Sequence, residues 1–243
     1  MSRALVTVTL PSLNEQRRIG DCLDSLAASI EAAPDEYAFE VIVLDSYSDD
    51  ATVEIAQEHP IVDLVDFVER GILRARHRGF ELARGEVVVS VDADSTYPPG
   101  FLSALLEPFE PGVSLTYGPV GGEKWGGVDA SIRLALQYGL PVLGLDWVSG
   151  SNRAVRTGDY FAAGGYRLGV DGNALLRVMA EEQLLFPRRL EGRVVFVGGA
   201  RSAQSARTLE QLLFLGEKEG GVEWDVIAPY GTIRRYREKL RRD

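Results

Sequence analysis

Four short runs of Val, Ile and Leu set what this chain can fold into: Ala4–Leu10, Phe39–Leu44, Val62–Val68 and Glu86–Val91. Each is long enough for a strand and too short for a core helix. Their ends fall 34, 24 and 23 residues apart, which leaves room for a crossover helix each time. Between the first two, Ile19, Leu23, Leu26 and Ile30 recur at steps of four, three and four, one face of an amphipathic helix. Ala51–Glu58 and Gly71–Ala83 read as the next two helices. Strand–helix repetition of this kind predicts an α/β fold: a single, mostly parallel, doubly wound sheet with flanking helices and right-handed crossovers. The second half is less regular. Val113–Tyr117 and Val194–Val197 read as strands, Gly118–Gly127 as a glycine-rich loop, and Asn173–Leu185 and Gln204–Glu217 as helices. Ile132–Leu145 is apolar but broken by Gly139 and Pro141.

Composition narrows the functional classes. The chain has 243 residues and a net charge of −10, which argues against general nucleic-acid binding. Its single cysteine, Cys22, allows no internal disulfide, fits a reducing cytoplasm, and reads as a packed thiol of the first helix. No apolar run reaches the roughly 18–20 residues that span a bilayer, and the first residues lack a signal peptide's pattern. Only three of the 26 basic residues are lysines, a bias compatible with a salt-adapted host or with a GC-rich genome.

In an open parallel sheet, ligands bind beyond the carboxyl ends of the strands. Three of those ends carry polar clusters: Pro11-Ser12-Leu13-Asn14-Glu15, then Asp45 through Thr52, then Asp92-Ala93-Asp94. Each has a local explanation, such as a capping box of Ser12 and Glu15, a helix cap at Asn14 or Asp49, or turn formation at Asp92 and Asp94. Parallel topology nevertheless puts all three on one edge. If Asp92 and Asp94 continue the strand they point the same way, and hard oxygen ligands suit Mg²⁺ or Mn²⁺ bridging a diphosphate. Neither phosphate-cradling glycine motif, G-x-x-x-x-G-K-[ST] or G-x-G-x-x-G, follows the first strand.

In this order the residues resemble the family 2 glycosyltransferases of the GT-A fold. The resemblance rests on Pro11-Ser12-Leu13-Asn14-Glu15, on Asp45 through Thr52, and on Ala75-Arg76-His77-Arg78-Gly79, where His77 replaces the family's Asn. It continues through Asp92-Ala93-Asp94, Gly150-Ser151-Asn152 and Gly164-Gly165-Tyr166, covering roughly residues 4–200. It implies an inverting, metal-dependent transfer of a sugar from a nucleotide-diphosphate donor to a glycan or lipid-linked acceptor; Asp45 suits uracil, which puts a UDP-linked donor ahead of a GDP-linked one without excluding guanine. Pro11, Asn14, Glu15, Asp45, Asp49, Arg76, Asp92 and Ala93 would serve the nucleotide, and Asp92 and Asp94 the metal. Glu182 would be the base that deprotonates an acceptor hydroxyl, with Glu181 beside it. Trp125, Asn152 and Arg207 would lie on the acceptor side. The family's late metal-ligating His has no counterpart here, which leaves Gln204, Ser205 or water for that place. The implied organisation is a transferase domain over 1–225, its halves near 1–117 and 118–225, followed by a tail over 226–243.

The tail's basic amphipathic stretch, Arg234–Arg242, can lie on an anionic membrane or pack onto the domain, so peripheral contact with the inner membrane face is one expectation. The segment around Asp92–Pro99 also resembles polyprenyl-phosphate sugar synthases, whose phosphate acceptor needs no strong base. A nucleotidyltransferase and a noncatalytic sugar-nucleotide-binding protein complete the set of alternatives.

Overall fold

The computed structural model of the chain describes residues 3–122, 139, 148–168, 178 and 180–204. The predicted alternation is present through the first half: β1 (Ala4–Ser12), α1 (Ile19–Glu31), β2 (Tyr37–Asp45), α2 (Thr52–Glu58), β3 (Leu64–Phe67), α3 (Ile72–Leu82) and β4 (Val87–Ser90). Next come β5 (Ser95–Thr96), α4 (Phe101–Leu106), β6 (Val113–Tyr117), β7 (Val120–Gly122), β8 (Arg153–Arg156) and α5 (Thr157–Ala162). A π-helical turn, Glu181–Leu185, leads into a 3₁₀ turn, Pro187–Arg189, and then β9 (Arg193–Phe196) and β10 (Ser202–Gln204).

Seven strands form the main sheet in the order β3-β2-β1-β4-β8-β6-β9. The pairs β1–β2, β1–β4, β2–β3 and β6–β9 are parallel, and β8 alone runs against its neighbours β4 and β6. Alternation along the strands sends side chains to both faces. Val6, Val8 and Leu10 of β1 and Val87 and Val89 of β4 meet Ile19, Leu23 and Leu26 of α1 and Phe101, Leu102 and Leu105 of α4. Val88 packs the other way, with Leu73 and Phe80 of α3, Val155, Tyr160 and Phe186. Each of these large apolar side chains contributes roughly 1.5–3 kcal/mol by leaving water. α3 lies close on β1 because Gly79 has no side chain: a Cβ there would sit 2.8 Å from Thr9 Cγ2.

Several details differ from the sequence reading. Strand β8 reads Arg-Ala-Val-Arg, too charged and too short to stand out as a buried strand, yet it lies in the middle of the sheet. Val120–Gly122, where the glycine content predicts loop, is a strand of a second, three-stranded sheet in the order β5-β10-β7. Gln204 closes β10 instead of opening a helix, and Asp92 and Asp94 lie in a turn past β4, closed by the Ser95 N–H on the Asp92 carbonyl at 3.2 Å. Of the expected helix 173–185, residues 178 and 180 are helical and Glu181–Leu185 form the π turn, and the rest lies outside the described residues. Of 132–145 only residue 139 is described, and the expectations for 205–217 and 226–243 lie outside the described residues.

Candidate active site

The β1–β2 register sets Ser12 directly opposite Asp45 at the carboxyl edge of the sheet. Asp45 is fully buried and accepts hydrogen bonds from the Ser12 hydroxyl (2.8 Å), the Ser48 N–H (2.7 Å) and the Ser48 hydroxyl (2.6 Å). The two following loops are fastened residue by residue. The Asn14 N–H donates to Ser48 Oγ and Asn14 Oδ1 accepts from the Asp49 N–H, both at 2.9 Å. The Glu15 N–H donates to Thr52 Oγ1 at 2.7 Å, and the Glu15 carboxylate takes Arg18 at 3.1 Å. Burial raises the Asp50 carboxyl's pKa, but hydrogen bonds from the Thr52 hydroxyl and the Thr52 and Gln16 N–H groups outweigh it and hold the group below the usual range. Pro11 is buried at the end of β1, beyond the β1–β4 pairing, where a missing N–H is tolerated. Pro11, Asn14, Glu15, Asp45 and Asp49 therefore gather in one place. Neither α1 nor α2 has a side-chain cap at its N-cap residue, so the capping-box reading fails; Asp50, one residue before that position in α2, takes the Thr52 N–H at 2.9 Å.

Arg76, one turn before Gly79 on α3, joins this edge to the second half of the chain. Its guanidinium donates to Asp92 Oδ1 at 2.7 Å and to Glu182 Oε1. The same Glu182 oxygen takes Arg153 at 3.1 Å, and Arg153 also donates to the Glu182 carbonyl at 3.2 Å and to the Tyr166 hydroxyl. Arg153 is wholly buried and Glu182 is 4% exposed. Burial and the neighbouring Arg76 pull the Arg153 guanidinium down to about 10 against the opposing pull of Glu182. On Arg76, burial is outweighed by Glu182 and Asp92, which hold it above its ordinary value. Gly150 passes so close that a Cβ there would collide with both Glu182 Oε2 and Arg76. Glu181 sits in a separate pair, with Arg189 at 2.6 Å and the Arg167 N–H at 3.0 Å. The π turn, closed by the Phe186 N–H on the Glu181 carbonyl at 2.8 Å, buries both glutamates side by side against different partners.

Asp94, 5% exposed, is met at Oδ1 by the Ser95 hydroxyl and the Gln204 amide, each at 3.3 Å. Carboxylates from Asp92 and Asp94, with hydroxyl and amide groups beside them, form a hard-oxygen donor set that fits Mg²⁺ or Mn²⁺. Among the described residues no three His, Cys, Asp or Glu side chains cluster as ligands, so a cation here needs neutral oxygens too. Ala93 points into the core. Asn152 is fully buried, its amide donating to the Pro119 and Ala200 carbonyls at 2.8 Å each, which makes it a tie between segments. Trp125 and Arg207 lie outside the described residues.

Arg153 is the participant that sequence reasoning passed over, and Tyr166 and Ser48 stand in quoted motifs without a role of their own; their partners lie too far along the chain, or too close within a turn, to show as a pattern. One usable signal was the pair of exposed aromatics, Tyr47 and Phe67, stacked at 5.6 Å on the same rim. Another is conformational. The non-glycine residues with left-handed backbone among those described are Asn14, Tyr47 and Asn152, all in segments that build this site. Strained backbone of this sort concentrates where function demands it.

No helix among the described residues is long and apolar enough to cross a membrane. The model of glycosyl transferase family 2 matches residues 7–185. Dolichol-phosphate mannosyltransferase of Pyrococcus furiosus is 33% identical over 117 residues, 46% of this chain and 32% of that protein. An uncharacterized glycosyltransferase of Mycobacterium tuberculosis is 33% identical over 151 residues, 58% of this chain and 65% of that one. The match thus spans a third to two-thirds of these relatives' lengths. Among solved structures, a mannosyltransferase from Pyrobaculum calidifontis in complex with GDP-Man and Mn²⁺ superposes with a TM-score of 0.65 at 22% identity, covering 88% of this chain and 60% of that one. With the fold, the acidic edge and the family match over residues 7–185 in agreement, the chain belongs to glycosyl transferase family 2 and has its GT-A fold.

Proposed function

We propose that the protein transfers a sugar, with inversion, from a nucleotide-diphosphate donor to a lipid-linked phosphate. The observation that carries the choice of acceptor is the state of Glu182. Its Oε1 is shared by two buried guanidinium groups, and Glu181 is likewise ion-paired. Both carboxylates that the family resemblance offers as a base are thus engaged. A phosphate oxygen is already ionised near pH 7 and needs no base. The likeness to a dolichol-phosphate mannosyltransferase supports the same acceptor class.

On the donor side, the Asn14 and Asp45 loops would receive the nucleoside, UDP in preference to GDP, with Pro11, Glu15 and Asp49 shaping the pocket. Asp92 and Asp94 would hold Mg²⁺ or Mn²⁺, and Arg76 would fix the Asp92 carboxylate in the orientation this needs. Bound there, the cation supplies Lewis-acid neutralisation of the leaving diphosphate. The acceptor oxygen would attack the anomeric carbon from the opposite side, the two substrates held in line. Residues 1–117 would then be the donor half and 118–225 the acceptor half. The 226–243 tail would rest on the membrane that carries the lipid.

A hydroxyl acceptor keeps one observation in its favour. Arg76 is shared between Asp92 and Glu182, so drawing Asp92 toward a cation would loosen the hold on Glu182 and let it act as the base. One assay separates the readings: purified protein with Mn²⁺, UDP- and GDP-sugars, and either a polyprenyl phosphate or the polyprenol of the same length. Product on the phosphate alone is the expected result. Product on the alcohol, lost in a folded Glu182→Gln variant, would replace this reading with the second.

A further inference from the structure

We infer that His77 is a positioning residue for the transfer, closing a ring of hydrogen bonds that fixes Arg76 and Arg153 on Glu182; the inference rests on the site reading above. The ring begins and ends at neighbouring residues of α3. On one side Arg76 donates to Glu182 Oε1, which also takes Arg153 at 3.1 Å, and Arg153 donates in turn to the Tyr166 hydroxyl. On the other side His77 Nδ1 meets the Tyr160 hydroxyl at 2.7 Å, and that hydroxyl accepts the Tyr166 N–H at 3.0 Å. Helix α3 therefore grips the Glu182 pair twice, directly through Arg76 and indirectly through His77, Tyr160 and Tyr166.

Burial sets the direction of each bond. Tyr160 is fully buried and stacked on Phe80 at 3.6 Å; Gly165, at φ +60°, lies so close that a Cβ there would sit 3.2 Å from the Tyr160 hydroxyl oxygen. Burial pushes the Tyr160 pKa up against the opposing pull of Arg153, so the hydroxyl keeps its proton. The Tyr166 N–H occupies one lone pair, and among the described residues His77 is the one partner placed to take the hydroxyl proton. The imidazole then accepts at Nδ1 and carries its own proton on Nε2, which faces Glu81 Oε1 at 3.5 Å. An apolar side chain at position 77 leaves the Tyr160 proton buried without an acceptor. The strain passes to Tyr166, and from its hydroxyl to the guanidinium that shares Glu182 with Arg76.

The chain has two histidines, His59 and His77, so ¹⁵N-histidine labelling reads the imidazole directly. The wild type should show His77 protonated at Nε2 with Nδ1 a hydrogen-bonded acceptor, and Tyr160→Phe should remove that hydrogen-bond shift while His59 stays unchanged. The second readout is transfer, with Mn²⁺, polyprenyl phosphate and either UDP-glucose or GDP-mannose. His77→Leu should lower kcat about tenfold with donor KM held within about two-fold, because the loops that would receive the nucleoside lie outside the ring. His77→Asn, whose Oδ1 can stand in the place of Nδ1, should keep kcat within about three-fold of wild type. Tyr160→Phe should cost as much as His77→Leu, and the double variant no more than either. Melting curves identify the folded variants, and Tyr160→Phe carries the test where His77→Leu does not fold. A His77 proton on Nδ1, full activity in either folded single variant, losses that multiply in the double variant, or equal loss in His77→Asn and His77→Leu overturns the inference alone. Absence of wild-type transfer from either donor overturns the proposed reaction and the inference together.

Discussion

Residue by residue, the site is held by buried charges that carry their own partners. Removing one member of a buried ion pair costs about 3–5 kcal/mol, because the other is left uncompensated. Arg153 and Glu182 make such a pair, and Gly150 leaves the space for it. Gly150→Ala would push a methyl group into Glu182 and Arg76, so we expect a loss of about 1–3 kcal/mol in urea unfolding, with transfer activity falling further than stability. Titration gives a second expectation. Burial raises the pKa of Glu40, but hydrogen bonds from Thr7 and Arg84 overcome it; burial likewise works on Glu181, against Arg189 and the Arg167 N–H, and both end below the ordinary value for a glutamate. A carboxylate depressed in the folded state contributes stability that is complete above its unfolded value and is lost as pH falls through the folded one. The melting temperature should therefore hold from pH 7 to about pH 5 and drop below 4.5, and Glu181→Gln should flatten that drop.

Among the elements, helix α3 links packing most directly to chemistry. Gly79 lets it lie against Thr9 of β1, and the same approach brings Arg76, one turn earlier, within reach of Asp92 and Glu182. Gly79→Ala gains helix propensity of up to about 1 kcal/mol but must displace Thr9. We expect net destabilisation of about 1–3 kcal/mol and weaker donor binding, measured by unfolding and by nucleotide titration on the same variant. A more stable variant with unchanged affinity would show that α3 can move without cost to the site. Element by element, the legible parts were those with strong periodicity. Strands β1, β2, β4 and β6 and helix α1 lie where the apolar pattern puts them. Strand β8 was hidden because Arg153 is buried by pairing with the distant Glu182 and the half-buried Arg156 bonds to the Val113 and Glu110 carbonyls, which no local pattern records.

At the scale of the whole molecule, ligands that bind only the folded chain should stabilise it. Mn²⁺ with UDP or GDP at a hundred times the dissociation constant should add about 2.7 kcal/mol and raise the melting temperature by several degrees. Chelator, or Asp94→Ala, should abolish the rise. The order of elements from β1 to β4, the acidic carboxyl edge and the motif series from Pro11 to Asp94 could all be read from the sequence, because each depends on residues close together along the chain. So could the family. What only the tertiary structure decided is which polar groups share partners: Ser12 with Asp45 across a strand pair, Arg76 and Arg153 on one oxygen of Glu182, Gln204 beside Asp94. The physical reason is that burial makes an unpaired polar group costly, so the chain finds it a partner wherever folding brings one, at a separation that sequence spacing does not encode.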